Sequence, residues 1–204
     1  MNKKLVLGIV GGVLGLAAVV AIAISAVDPG ETDSNIAFGE VTIEGTSLPM
    51  MPDDPAQDVA LGMVAPDVSG VDGDGNGVTI AADGRPKVVL FLAHWCPHCQ
   101  EEVPEVVRWL EAGNQPDSVD FYSISTLANR LQGNWPPQQW LADEGWQVPL
   151  ILDDSGSSLS QAYGMRGTPF WIVLDGDNQV VARVPGRVGV DGVTAIFEAA
   201  AQSA

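Results

Sequence analysis

"KVVLFLAHWCPHCQEEVPEVVRWLEAG" occupies residues 87–113 and holds both cysteines of a 204-residue chain. Its opening nine residues, 87–95, are a continuous apolar run rich in Val, Leu and Phe. The run is too short for a buried helix, so it predicts a central strand covered on both faces. From Cys96 the period changes: Val103, Val106, Val107 and Leu110 recur at helical spacing, and Gly113 supplies a stop. Pro97 falls in the first turn, where a helix tolerates proline. Pro104 lies inside the pattern and predicts a kink. The two thiols therefore sit at a strand-to-helix junction, three residues apart, with Pro97 and His98 between them.

That position has chemical consequences. A dithiol that exchanges disulfides needs one reachable thiol of low pKa and a second that can resolve the mixed disulfide. Free backbone N–H groups and the helix dipole favour an anion at Cys96. Cys99, one turn deeper on the same helix, is placed as the protected, resolving partner. His98 is expected to add a cationic or hydrogen-bonding neighbour that lowers the Cys96 pKa further. A stabilised thiolate makes the reduced form comfortable and the disulfide a stronger oxidant, which makes Pro97 and His98 the redox-tuning pair.

Outward from this segment, strand and helix alternate. Residues 119–126, 148–153, 169–175 and 179–186 read as strands, the last two as a hairpin across Gly176-Asp177-Asn178. Residues 136–145, 157–164 and 189–204 read as helices. The order predicts an α/β fold with a mixed β-sheet flanked by helices on both faces. "DGDGNGVTIAAD" (72–83) places Asp72, Asp74, Asn76, Gly77 and Asp83 at calcium-loop positions, but no helical pattern flanks it. A Gly/Asp/Asn turn between two strands is the simpler reading.

Several stretches together resemble a known group. "LGMVAPDVSG" (61–70), "WCPHCQEEVPE" (95–105) and "YGMRGTPFWIVLDGDNQVV" (163–181) give residues 61–204 the look of the thioredoxin-like superfamily, and more closely of its membrane-anchored, extracytoplasmic TlpA/ResA-like branch. The W-C-x-x-C-x-x-E-x-P pattern runs through Trp95, Cys96, Cys99, Glu102 and Pro104. The resemblance implies a thioredoxin-like fold, a cis bond at Thr168-Pro169 facing the cysteines, and a Thr168 backbone presented to the substrate chain. It makes Pro169 part of the catalytic set, with Trp95 as an apolar rim that receives a client. Two features depart from the branch. Leu90 stands where many relatives carry a buried carboxylate or amide, which leaves Glu101, Glu102 or water to take the resolving thiol's proton. The Pro-His dipeptide is similar to that of the strongly oxidising DsbA proteins, whereas the frame resembles reductants.

The N-terminal 27 residues stand apart. Lys3 and Lys4 precede an uncharged apolar stretch from Leu5 to Val27, which as a helix would be roughly 34 Å long. That length crosses a bilayer core of about 30 Å. Residues 1–4 then form a cytoplasmic tip, 5–27 a transmembrane anchor, 28–60 an extracytoplasmic linker in which "FGEVTIEG" (38–45) alternates like one loosely attached strand, and 61–204 the domain. Ala21-Ile22-Ala23 is a passable cleavage site, so a removed signal peptide is the alternative. Beyond residue 27 seven basic residues face all 26 acidic ones, a balance of −19. Such acidity disfavours nucleic acid as a partner.

Taken together the residues predict a thiol–disulfide oxidoreductase, anchored in the cell membrane with its domain outside the cytoplasm. It needs no organic cofactor and acts on thiols or disulfides of exported proteins, with a membrane redox partner the sequence does not name. The reading leans to disulfide formation; reduction of apocytochrome c or other exported proteins is the alternative. Competing readings are a static disulfide, a thiol peroxidase, and a metal module in which Cys96, Cys99, His98 and His94 hold Cu(I) or Zn²⁺. Arg166, three residues before Pro169, reads either as a thiolate neighbour or as a solvated helix-end charge.

Overall fold

A computed structural model describes residues 37–203. The proposed anchor at 5–27 and the tip at 1–4 lie outside the described residues. Among the described residues no helix is long and apolar enough to cross a membrane.

The apolar run becomes strand β4 (Lys87–Leu92), every residue of which is buried. Strand propensity and burial on both faces agree here, which is why this strand sits in the middle of a sheet. Around it lie β5 (Asp120–Ser125), β6 (Leu150–Leu152), β7 (Phe170–Leu174) and β8 (Val180–Pro185), in the order β6-β5-β4-β7-β8. β4, β5 and β6 run parallel, whereas β7 is antiparallel to β4 and β8 to β7. The mixed sheet is thus as the strand–helix order predicts. A smaller antiparallel sheet of β1 (Thr42–Glu44), β2 (Asp67–Val71) and β3 (Gly77–Ile80) completes the strands.

Side-chain alternation divides the core in two. Val88, Leu90 and Leu92 of β4 face α1 (Pro97–Glu111), α2 (Pro137–Asp143) and α4 (Gly189–Ala201). Val89 and Phe91 face α3 (Ser158–Ala162), the small sheet and residues 48–65. The first layer is built on aromatics: Phe121 stacks on Trp171 at 6.0 Å and meets Phe197 edge-on at 5.1 Å, while Trp109 packs on Phe197 at 4.7 Å. Such pairs add about 0.5–1.5 kcal/mol each beyond the area they bury.

Part of the expected linker proves to be folded. From Ala37 onward the 28–60 segment packs on the domain: Leu48 and Met51 are buried, and β1 pairs with β2. Leu48 N–H donates to the Ala162 carbonyl at 2.8 Å and Met51 N–H to the Gly164 carbonyl at 2.9 Å. Gly164 has φ +63°, and a Cβ there would stand 2.2 Å from the Pro49 carbonyl oxygen, so only glycine lets the two backbones approach. The contact is locked by Arg183, whose guanidinium bonds both Asp58 oxygens at 2.9 and 2.5 Å and the carbonyls of Pro49 and Tyr163. Sparse apolar residues hid this segment in the sequence, because its anchors are backbone bonds and one buried ion pair rather than a periodic stripe. Residues 72–76 form the expected turn between strands: Asp72 accepts from the N–H groups of Asp74 and Asn76 at 2.9 and 2.8 Å and from Asn76 Nδ2. Its oxygens are spent within the turn.

Asp58→Ala leaves a buried guanidinium without its carboxylate and should cost about 3–5 kcal/mol in denaturant unfolding. The Arg183 hydrogen bond, working against the cost of burial, holds the Asp58 carboxyl below the usual range. That stabilisation is present above the unfolded pKa of about 4 and is lost as pH falls through the lower folded value, so Asp58→Ala should flatten the acid limb of the stability curve.

Candidate functional site

Cys96 is the N-cap residue of α1, with extended backbone, and Pro97 takes the first helical position. Proline is accommodated there because that N–H has no helical partner. The helix runs continuously through Pro104. Both thiols are free, and the two cysteines lie 3.5 Å apart. Cys96 is 6% exposed and Cys99 fully covered, so an incoming sulfur meets Cys96 first.

The antiparallel pairing of β4 with β7 brings the opposite wall. Phe91 pairs with Phe170, which sets residues 168–169 beside the end of β4. The Thr168–Pro169 bond is cis, as the resemblance implies, and so is Trp135–Pro136, which nothing in the sequence singles out. In its neutral form the Cys96 thiol donates to the Thr168 carbonyl at 3.2 Å.

The two sulfurs are electrostatically unlike. Burial opposes ionisation of Cys96, but hydrogen bonding from the Thr168 side chain, from the Cys99 backbone and thiol and from the His98 backbone outweighs it, holding this thiol below its ordinary range. Burial pushes the Cys99 thiol far above that range, and a charge on Cys96 adds to the effect. One sulfur is poised to ionise and the other to keep its proton.

The remaining sequence candidates fall as follows. The His98 ring stands in solvent, 68% exposed and 4.0 Å from the Glu101 carboxylate, so what reaches the Cys96 sulfur is the His98 backbone. Arg166 pairs with Asp53 of the N-terminal segment. Leu90 is buried, paired with Ser123 and Trp171 on the neighbouring strands. Glu102 is buried on α1 and accepts from the N–H groups of Val188 and Gly189, each at 3.0 Å, at the start of α4. It ties the cysteine helix to the last one, and burial pushes its carboxyl above the usual range against the pull of those N–H groups. Trp95 is 36% exposed beside Cys96, and its Nε1–H donates to the Leu127 carbonyl at 2.8 Å.

His94 takes a role that sequence reasoning assigned only to a metal. It is fully buried; its Nε2 accepts the Asn129 N–H at 3.0 Å, so the ring proton resides on Nδ1 and is donated to the Gly133 carbonyl at 2.6 Å. Burial lowers its pKa, with the Gly133 bond opposing. Both nitrogens are engaged, so His94 is not available to a Cys96/Cys99/His98 metal set. Among the described residues no three His, Cys, Asp or Glu side chains cluster in a way that would hold a metal ion.

Residues 60–194 match the Redoxin family. HelX of Rhodobacter capsulatus, named a thiol:disulfide interchange protein, is 27% identical over 112 residues, 55% of this chain and 58% of its own. Bovine nucleoredoxin is 32% identical over 111 residues, 53% of this chain and 24% of its own. The chain thus spans about half of one relative and a quarter of the other. Among solved structures, the thiol:disulfide interchange protein of the thioredoxin family from Chlorobium tepidum superposes with TM-score 0.55 at 23% identity, covering 67% of this chain and 94% of that one. StoA of Bacillus subtilis gives 0.51 at 18%, covering 60% and 90%. These likenesses show a thioredoxin-like fold.

Iodoacetamide should label Cys96 alone in the native dithiol, with a rate that rises through a midpoint below the roughly 8.5 of free cysteine. Thr168→Val should move that midpoint up by roughly one unit, the scale of one hydrogen bond to a charged sulfur.

Proposed function

The chain belongs to the Redoxin family, and from that premise we propose that it is a thiol–disulfide oxidoreductase that forms disulfides in exported proteins through Cys96 and Cys99. The observation that carries the reading is the split between a Cys96 held below the ordinary thiol range and a Cys99 pushed above it, with the sulfurs in contact.

The split has a direction. In the oxidised protein a client thiolate attacks the Cys96 sulfur, the Cys96–Cys99 bond breaks, and Cys99 leaves and takes up a proton, which its buried position favours. A second client thiolate then attacks the client sulfur of the mixed disulfide. The client disulfide forms and Cys96 departs as a thiolate, the better leaving group because its pKa is low. Two client thiols are oxidised and the protein pair is reduced. In reverse, buried Cys99 must lose its proton before it can attack, and no carboxylate occupies the Leu90 position to take it. Thr168 and Pro169 present the backbone beside Cys96, Pro97 opens the helix, and His98 offers its N–H to the sulfur; these are the roles we assign to them. Trp95 contributes an apolar face for the client.

An apolar stretch at 5–27 and the acidity of the remainder support an extracytoplasmic domain tethered to the membrane, with exported proteins as clients and a membrane redox partner that reoxidises the pair. Reduction of exported disulfides, apocytochrome c among them, is the opposite direction of the same chemistry; the TlpA/ResA-like frame supports it.

Equilibration in glutathione buffers should give a potential nearer the −120 mV of DsbA than the roughly −270 mV of thioredoxin. A value at the thioredoxin end would turn the reading to reduction. Cys96→Ser should abolish exchange, and Cys99→Ser should accumulate a mixed disulfide with a reduced client protein on a non-reducing gel.

A further inference from the structure

The two residues before Cys96 are tied to one distant loop. His94 holds residues 127–135 through both ring nitrogens, to Asn129 and Gly133, and its own carbonyl accepts from Asn134 Nδ2 at 3.1 Å. Trp95 holds the loop's first residue through the Leu127 carbonyl. Over the imidazole lies Trp135, edge-on at 5.7 Å, itself covered by the Arg130 guanidinium at 5.4 Å.

This fastening carries a cost that the redox chemistry does not explain. Leu127 has φ +52°, a left-handed conformation that disfavours a branched apolar side chain and persists only where surrounding bonds impose it. Trp95, the residue before Cys96, and Leu127 both keep apolar surface exposed. Leu127 is 37% exposed, and its carbonyl takes the Trp95 indole N–H, so the polar edge of that ring is already consumed by the loop.

We infer that His94 is a positioning residue: it fixes the 127–135 loop so that Leu127 and Trp95 form one apolar rim next to Cys96, and this rim selects polypeptide thiols that carry apolar side chains beside the cysteine. The inference rests on the exchange activity proposed above and adds the chemistry of its substrate. The imidazole suits the task because, neutral, it is a donor on one side and an acceptor on the other. Gln can supply both, Phe neither.

The test uses the oxidised full-length chain and two reduced dithiol peptides, one with Leu and Phe flanking each cysteine, the other with Ser and Gly. The rate at which each peptide is oxidised to its disulfide, as the protein disulfide is reduced, is followed against peptide concentration. Wild type should half-saturate at a lower concentration of the apolar peptide. His94→Phe should raise that concentration about tenfold, the scale of one partly buried apolar side chain, with the maximal rate changed far less. His94→Gln should restore most of the preference. Leu127→Asn, which tolerates the left-handed backbone and keeps the carbonyl bond to Trp95, should erase the preference by raising the apolar peptide's half-saturation toward that of the Ser/Gly peptide. The inference is overturned if both variants affect the two peptides alike, or if maximal rates fall while half-saturation stays put. Failure of wild type to oxidise either peptide would overturn the exchange activity itself.

Discussion

The register between β4 and β7 decides what this protein can do. Phe91 opposite Phe170 is one rung of an antiparallel ladder, and it fixes where β4 ends relative to where β7 begins. Everything chemical follows within a few residues of that rung. The chain leaves β4 through Ala93, His94 and Trp95 to reach Cys96, and it enters β7 through Thr168 and Pro169. A one-residue slip would turn every side chain of β7 to the opposite face, expel Trp171 from the aromatic layer and separate the Thr168 carbonyl from the sulfur. Because both faces of β4 and β7 are buried, such a slip is strongly disfavoured, and the core thereby holds the site in place.

Within that frame the fold divides two chemically identical side chains. A helix start offers unpaired N–H groups, so the thiol at the N-cap gains stabilisation as an anion. One turn later the sheet lies directly beneath, so burial in an apolar environment outweighs the bonds that the second thiol receives from the Ala93 backbone and the Thr168 side chain. The asymmetry needs no special residue on Cys99; depth suffices. Leu90 sharpens it, since an apolar side chain on β4 leaves the deeper proton without a basic neighbour on that strand. Glu102 contributes at a distance, anchoring α1 to the start of α4 through two backbone N–H groups and so fixing the helix that carries both sulfurs.

Buried polar groups do much of the joining in this molecule. Arg183 and Asp58 fasten the N-terminal segment, Glu102 fastens two helices, and His94 fastens the 127–135 loop. Each is nearly or fully buried, and each has its bonding groups matched by partners distant in sequence. Removing one partner leaves a desolvated group unpaired, which is why such contacts specify one arrangement more firmly than apolar packing alone.

Local pattern was enough for much of this. A nine-residue apolar run, a change of period at Cys96, and Gly or Pro punctuation located strands and helices from residue 87 onward, because those signals depend on neighbours in the chain. The thiol pair and its order of exposure were legible for the same reason: helix position sets depth. Sequence also marked Thr168-Pro169 by resemblance, and the turn at 72–76 by composition. In residues 28–60 it marked one loosely attached strand at 38–45, where β1 lies, but missed the packing of 37–60 on the domain, whose polar anchor Arg183 lies 125 positions from Asp58. It offered His94 to a metal, whereas the tertiary structure gives both imidazole nitrogens to a loop more than thirty residues away. And it gave the His98 ring a share in tuning Cys96 that the structure places with the backbone of that residue. Periodicity reports which way a side chain faces within its own element. Which distant group meets it there is set by strand register and by the matching of buried donors to acceptors, and those exist only once the chain has closed on itself.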